Sequence, residues 1–227
     1  MSNLTTEMNQ TEIVDGRLSQ EEVRNLYNGL SRFYDLWGTN TEGHARRRGI
    51  QLAQIQNGET ILDVAAGTGS ILADVVRQNF KGFNAGIDIS AGMLEKARKK
   101  LNGTSANVEL KVGSAFEIPY PDHTFDLLFN GYMFDLMPFE VMPKILAEFK
   151  RVLKPTARLV LMNMTIGERF GSQIYQRLYN ISPAIMGGCR GVRMTESLEN
   201  AGFRVNTREY HQQLLFPSEV ILAFIKV

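Results

Sequence analysis

Short apolar runs alternate with amphipathic stretches through most of this chain. Each run is followed by small or polar residues, as is typical of strands buried on both faces of a parallel sheet. Between the runs, apolar residues recur at helical spacing, which indicates helices that each turn one face toward such a sheet. The alternation predicts an α/β domain in which helices cover a largely parallel sheet.

Seven strands and four helices are predicted after residue 58. The strands are 61–64, 83–89, 108–113, 125–131, 157–164, one that begins at Gly202, and 217–227. The helices are 71–78, one from Ser90 to Gly103, one that follows Pro138 and ends at Lys154, and 195–201. The last two strands read as a hairpin-like end after five strand-helix units.

The N-terminal part carries two further helix signals. Ser19 and Glu22 form a capping box, so a helix is predicted to begin there. A second helix is predicted to reach about Ile55. Residues 1–18 lack periodicity and are expected to be a mobile tail. We therefore expect one domain over 19–227, with 19–57 as a helical cap.

The turn after the first strand contains Gly67 and Gly69. Glycine adopts a positive φ without penalty and has no Cβ, so a ligand can press against this backbone and the N–H groups of the next helix. A dinucleotide fingerprint would need a third glycine, at the position where this chain has Leu72. The spacing therefore favours a small polar ligand other than NAD or FAD.

Four segments carry a family resemblance. The run Asp63 to Gly69 resembles the first motif of class I S-adenosylmethionine (SAM) methyltransferases, with Ala65 where the family often has its first glycine. The loop 118–126 and the segment 151–155 (RVLKP) are also similar to that family. Residues 33–36 (FYDL), followed by Gly43-His44 and three arginines, resemble the C-methyltransferases of the ubiquinone and menaquinone pathways.

The resemblance covers residues 19–227 and implies both fold and cofactor. It implies a three-layer Rossmann-like methyltransferase fold, with a seven-stranded, mostly parallel sheet whose last strand is antiparallel. It also implies S-adenosyl-L-methionine as cofactor. Independently, Asp88 lies at the end of the second strand, about twenty residues after the glycine turn, where a carboxylate can accept hydrogen bonds from both hydroxyls of a ribose.

The expected cofactor site combines the turn, the strand ends and an adenine pocket. Ser114 stands where the family commonly has an acidic residue for the adenine amino group, so backbone N–H groups near Ala115 and Phe116 are expected to contribute. The residues expected to bind the cofactor are Tyr27, Asp63, Ala65, Gly67, Thr68, Gly69, Asp88, Ile89, Met93, Ser114, Ala115 and Asn130.

Methyl transfer from a sulfonium needs close, aligned and dry reactants rather than a catalytic triad. The candidates for a base or for acceptor orientation are Tyr34, His44, Tyr132 and Asp135. Residues 166–194 are predicted to cover the acceptor site, and their apolar content suits a small, apolar or lipid-like acceptor. An ordinary helix packed on the sheet explains that segment equally well.

Composition narrows the class of protein. A net charge of +1 over 227 residues gives no indication of nucleic-acid binding. The single cysteine, Cys189, provides neither a disulfide framework nor a zinc cluster, so no metal is expected. Residues 1–17 do not resemble a signal peptide, and no apolar run is long enough to span a membrane. We expect a soluble cytoplasmic protein that could contact a membrane peripherally, and the sequence leaves its oligomeric state open.

Other functions remain open at this point. An N-methyltransferase for an amine or a phospholipid headgroup would use arginines to hold phosphate, namely Arg46, Arg47, Arg48, Arg190 and Arg193. A non-catalytic SAM-binding protein and a dinucleotide reductase are further alternatives. An arsenic methyltransferase is disfavoured because one cysteine cannot supply several thiolates.

Overall fold

A single seven-stranded sheet organises the computed structural model, which describes residues 43–165, 191–213 and 216–226. The strands are β1 (Thr60–Val64), β2 (Phe83–Asp88), β3 (Asn107–Val112), β4 (Phe125–Gly131), β5 (Leu153–Met164), β6 (Phe203–Gln213) and β7 (Phe216–Ile225). Their order is β3-β2-β1-β4-β5-β7-β6. The pairs among β1 to β5 are parallel, and β7 is antiparallel to both neighbours. The predicted sheet with its antiparallel last strand is confirmed.

Helices lie on both faces of the sheet. They are α1 (Gly43–Ala53), α2 (Ser70–Val75), α3 (Ala91–Lys100), α4 (Met142–Val152) and α5 (Thr195–Asn200). Along one face α1 contacts α2 and α2 contacts α3, while α4 and α5 contact each other. The tail 1–18, the capping box at Ser19, most of the cap 19–57 and residues 166–190 of the predicted cover lie outside the described residues.

The core consists of an apolar layer on each face of the sheet. Leu62 and Val64 of β1 pack in one layer with Phe149 of α4, and Ile61 and Phe129 pack in the other layer beneath α1. These side chains are fully buried. Complete burial of a side chain of this size contributes about 1.5–3 kcal/mol, so the two layers are the main stabilising contribution.

Helix α1 lies unusually close to the sheet at Gly49. A Cβ at this position would stand 2.6 Å from the Met162 sulfur of β5. Since real Cβ atoms do not approach other atoms so closely, a larger residue here would require the Met162 side chain to shift. The contact fixes the side chains at the start of α1 over β5, β6 and β7.

Three element boundaries differ from the prediction. The helix expected after Pro138 begins at Met142 with Pro143 in its first turn, because Pro138 instead precedes a 3-10 turn at Phe139–Val141. Strand β5 begins at Leu153, before the predicted start, because Leu153 pairs with Phe125 across a bulge. The helix predicted over 71–78 begins at Ser70 and ends at Val75.

A fully buried carboxylate joins the last three strands. Glu219 of β7 accepts hydrogen bonds from Arg208 Nε at 2.6 Å, from Asn163 Nδ2 at 3.0 Å and from the Met194 backbone N–H at 3.0 Å. These donors belong to β6, β5 and the segment just before α5. The network therefore fixes the chain on both sides of residues 166–190.

Candidate active site

A cleft opens at the carboxyl ends of β1, β2, β3 and β4. It encloses about 820 Å³, including space open to solvent, and residues that follow each of the four strands line it. Open α/β sheets bind their ligands at this edge, where the connections from neighbouring strands diverge.

The glycine turn forms the floor of the cleft. Gly67 and Gly69 have φ values of 53° and 77°. A Cβ at Gly67 would meet no atom within 4 Å, so the cleft reaches the backbone there, whereas one at Gly69 would stand 2.9 Å from Ala97 Cβ. Gly69 thus allows α2 to approach α3 closely. Ala65 is also left-handed, with φ 60°, a conformation that glycine adopts without the steric cost of a Cβ.

Asp88 links the end of β2 to the glycine turn. Its Oδ2 accepts a hydrogen bond from the Gly67 N–H at 2.8 Å, and its Oδ1 accepts one from the Ser90 N–H at 2.8 Å. Burial raises the pKa of this carboxyl, and the two hydrogen bonds oppose that rise. Each oxygen can accept a further hydrogen bond from a ligand. Ser90 caps α3 by accepting from the Met93 N–H.

The residues predicted to contact adenine lie on the adjacent wall. Ile89, Met93, Ser114 and Ala115 line the cleft here together with Phe116. Ser114 Oγ accepts a hydrogen bond from the Phe116 N–H at 3.2 Å. One of the two backbone donors expected for adenine is therefore engaged within the loop itself.

Four predicted cofactor residues lie outside the cleft lining, namely Asp63, Thr68, Gly69 and Asn130. The amide of Asn130 donates to the Val64 carbonyl at 2.8 Å and so fixes β4 to the end of β1. Thr68 Oγ1 accepts from Lys100 Nζ at 3.0 Å. These residues lie behind the lining and stabilise the strands and turns that form the cleft. Tyr27 lies outside the described residues.

Asp63 is sealed beneath the turn. It is fully buried, and neither carboxylate oxygen has a hydrogen-bond partner within residues 43–165, 191–213 and 216–226. Burial, together with the nearby charge of Asp88, raises the pKa of the Asp63 carboxyl well above its usual value. Folding therefore favours the protonated form of this carboxyl.

The candidate catalytic residues are dispersed. Tyr132 lines the cleft with a left-handed φ of 53°, and its hydroxyl lies 3.2 Å from Ser218 Oγ. Asp135 is fully buried in the 3-10 turn Phe134–Leu136 and does not line the cleft. His44 at the start of α1 packs on the ring of His211 with the centroids 5.2 Å apart. Tyr34 lies outside the described residues.

Sequence reasoning missed an apolar wall and a polar cluster. Met133, Leu136 and Met137 line the cleft directly after β4. Their position directly after the carboxyl end of a strand could have identified them from the sequence. Ser218 and His211 come from the last two strands, and only their pairing in the sheet shows that they are neighbours.

Comparison with known proteins assigns the family. The family described as "Methyltransferase domain" matches residues 61–156. A demethylmenaquinone methyltransferase of Symbiobacterium thermophilum is 30% identical over 173 residues, which cover 70% of this chain and 67% of that protein. The chain belongs to the ubiquinone/menaquinone C-methyltransferase family.

Further similarities of this methyltransferase support the same family and fold. A demethylmenaquinone methyltransferase of Bacillus licheniformis is 35% identical over 59% of this chain and 56% of its own length. The matches thus span from a little over half to about two thirds of the length of these two relatives. A SAM-dependent methyltransferase structure from Aquifex aeolicus shares the fold, with a TM-score of 0.59 and 23% identity over 89% of this chain and 98% of that one.

The cofactor of the methyltransferase is S-adenosyl-L-methionine, and the residues of the cleft fit it. Asp88 would accept from the ribose hydroxyls, the backbone at Gly67 leaves room that a side chain would fill, and Ile89 and Met93 offer an apolar wall for adenine. Among the described residues, no group of three metal-ligating side chains occurs and no helix could span a membrane.

Substitution of Asp63 tests the protonation of the buried carboxyl. A carboxyl whose pKa is raised by folding contributes stability below its unfolded pKa of about 3.9 and loses it as pH rises through the folded pKa. We therefore expect Asp63→Asn to be more stable than the wild type near pH 7.5, with the difference shrinking as pH falls. Urea unfolding of both cofactor-free proteins between about pH 7.5 and 5 measures this. A difference in the free energy of unfolding between the two proteins that does not change with pH would show that folding does not raise the pKa of Asp63.

Proposed function

We propose that this enzyme transfers the methyl group of SAM to a ring carbon of a small, apolar, quinol-like acceptor. The observation that carries the proposal is the lining after β4, where the described residues are the apolar Met133, Leu136 and Met137 and one phenol, Tyr132. Among the described lining residues Asp88 is the one charged side chain, and it lies on the cofactor side. The names of the relatives, demethylmenaquinone methyltransferases, support the same acceptor class.

The protein's contribution is orientation and exclusion of water. Bound SAM supplies an electrophilic methyl group on a sulfonium. Asp88 and the glycine turn would hold its nucleoside, and the apolar wall would hold the acceptor ring and keep water away. Tyr132 is the polar group on this wall, so it is the residue that would hydrogen bond a ring oxygen.

We also propose the location of the acceptor-site cover. Residues 166–194 would roof the cleft, because both flanks of this segment leave from the carboxyl edge of the sheet. The Thr165 N–H donates to the Pro217 carbonyl and the Val192 N–H donates to the Met164 carbonyl, each at 2.9 Å. Together with the helical cap 19–57, the cover would complete a single domain over 19–227.

We propose that the enzyme works in the cytoplasm and takes a lipid-like acceptor from a membrane surface.

A phospholipid headgroup fits the described residues less well. Arg46 forms an ion pair with Asp74 at 3.1 Å, and Arg48 binds Glu209. Neither arginine is among the residues that line the cleft. An N-methyltransferase acting on a phosphate-bearing amine would need a cation in that lining.

The experiment is a methyl-transfer assay with labelled SAM and two acceptors. Reduced demethylated naphthoquinones are compared with vesicles of phosphatidylethanolamine, and Gly67→Val serves as the control whose side chain fills the cofactor space. We expect label in the quinone fraction with the wild type only. Label in the phospholipid alone would contradict the proposal, as would label from Gly67→Val.

A further inference from the structure

Two of the three histidines of the chain lie next to each other. His44 and His211 lie in ring contact at 5.2 Å, and His123 lies in an exposed turn before β4. His211 has Glu209 as its neighbour on the same face of β6, with Nε2 3.2 Å from Glu209 Oε2. This cluster lies at the carboxyl edge of the sheet, the edge that carries the cleft.

Glu209 is held as an ionised carboxylate. Arg48 of α1 donates to its two oxygens, Nε at 2.7 Å and a terminal nitrogen at 2.6 Å. These hydrogen bonds lower the pKa of Glu209. Because an ionised carboxylate can only accept, the His211 Nε2 must carry the hydrogen between them. The other ring nitrogen, Nδ1, then has a lone pair and can take up a proton.

Ser218 of β7 is a neighbour of both His211 and Tyr132. Ser218 of β7 pairs directly with His211 of β6, so both side chains stand on the α1 face. Ser218 Oγ lies 3.2 Å from the hydroxyl of Tyr132, which lines the cleft. Tyr132 is held in a left-handed conformation that a bulky residue rarely adopts, as is common at functional sites.

We propose that Tyr132, Ser218 and His211 form a proton path that leads from the methyl acceptor to an imidazole fixed by Glu209. The proposal rests on the quinol-like acceptor. His211 is a positioning residue in this scheme, because it acts through Ser218 and Tyr132. Among the described residues, the charged and titratable groups next to His211 are Glu209 on its own strand and His44 on α1, and Arg48 of α1 binds Glu209.

Methylation of a ring carbon releases a proton, which needs an acceptor. The bond between sulfur and the methyl carbon breaks, a carbon–carbon bond forms, and the sulfonium becomes a neutral thioether, so one proton is released overall. A ring hydroxyl gives its proton to the Tyr132 oxygen, the Tyr132 proton moves to Ser218, and the Ser218 proton moves to His211 Nδ1. The hydrogen of the methylated ring carbon then restores the ring hydroxyl, and the imidazolium is stabilised by Glu209.

Substitution of His211 by glutamine tests the path. Glutamine can hydrogen bond to Glu209 but cannot store a proton, so we expect kcat with a demethylated naphthoquinol to fall on the order of 100-fold. The KM for SAM should not change. The pH dependence of kcat between about pH 6 and pH 9 should become flatter. Ser218→Ala should reproduce the effect. His123→Asn, which keeps a residue that tolerates a left-handed φ of 51°, should behave as the wild type.

NMR of the imidazole nitrogens tests the path without turnover. Tyr132→Phe and Ser218→Ala should each shift the His211 nitrogen resonances and leave those of His123 in place. Unchanged His211 resonances, or an unchanged kcat in His211→Gln, would overturn the path. If the wild type methylates no quinol while these resonances do shift, the acceptor proposal fails and the coupling between Tyr132, Ser218 and His211 stands.

Discussion

Asp88→Ala is expected to weaken binding of S-adenosylhomocysteine on the order of 100-fold, or about 2.7 kcal/mol. The variant loses the acceptor for the two ribose hydroxyls. It also leaves the N–H groups of Gly67 and Ser90 without the carboxylate that holds the turn against β2. Hydrogen bonds to a charged group are worth about 1.5–3 kcal/mol each, so the combined loss exceeds that of an ordinary contact. Calorimetric titration measures the change.

A carboxylate at the opposite edge of the sheet provides the matched control. Asp122 lies just before β4, is 65% exposed and pairs with Arg151 at 2.8 Å. Asp122→Ala removes the same charge and should leave the affinity unchanged. Equal affinities of Asp88→Ala and the wild type would remove the ribose assignment and leave Asp88 with a structural role alone.

Glu219→Ala is expected to lower the free energy of unfolding by about 3–5 kcal/mol. The substitution leaves Arg208 and Asn163 facing a buried cavity without their acceptor, and it also frees the Met194 N–H. Breaking a buried ion pair by removing one partner is costly because the remaining groups stay desolvated. Urea unfolding monitored by circular dichroism gives the value.

Two further variants separate charge from shape. Glu219→Gln keeps the shape and one acceptor oxygen, so it should lose about 2 kcal/mol. Glu95→Ala removes an exposed glutamate that pairs with Lys99 at 3.5 Å, and it should stay within about 0.5 kcal/mol of the wild type. A loss in Glu219→Ala no larger than in Glu95→Ala would refute the role of this network.

The sheet could be predicted because its signals are local. Apolar runs such as 125–131 and the glycine turn at Gly67 specify strands and a connection without any long-range information. The antiparallel direction of β7 came from family resemblance alone. The start of β5 was misjudged, because the pairing of Leu153 with Phe125 depends on a bulge between distant segments.

The frame of the candidate cofactor site follows from the same local signals, but the acceptor side does not. Asp88 could be selected because it ends a strand about twenty residues after a glycine turn. His211 and Ser218 carry no motif, and they become neighbours of Tyr132 only when β6 and β7 pair beyond β5. Asp63 was selected from its motif, but its burial and lack of a described partner follow only from the packing of the turn above it.

Calorimetric titration of the purified protein with S-adenosylhomocysteine, with NADH as the control, tests the central claim most directly. The cleft at the ends of β1 to β4 predicts micromolar binding of S-adenosylhomocysteine and no binding of NADH. Binding of NADH, or of neither ligand, would contradict the assignment of the cleft as a SAM site.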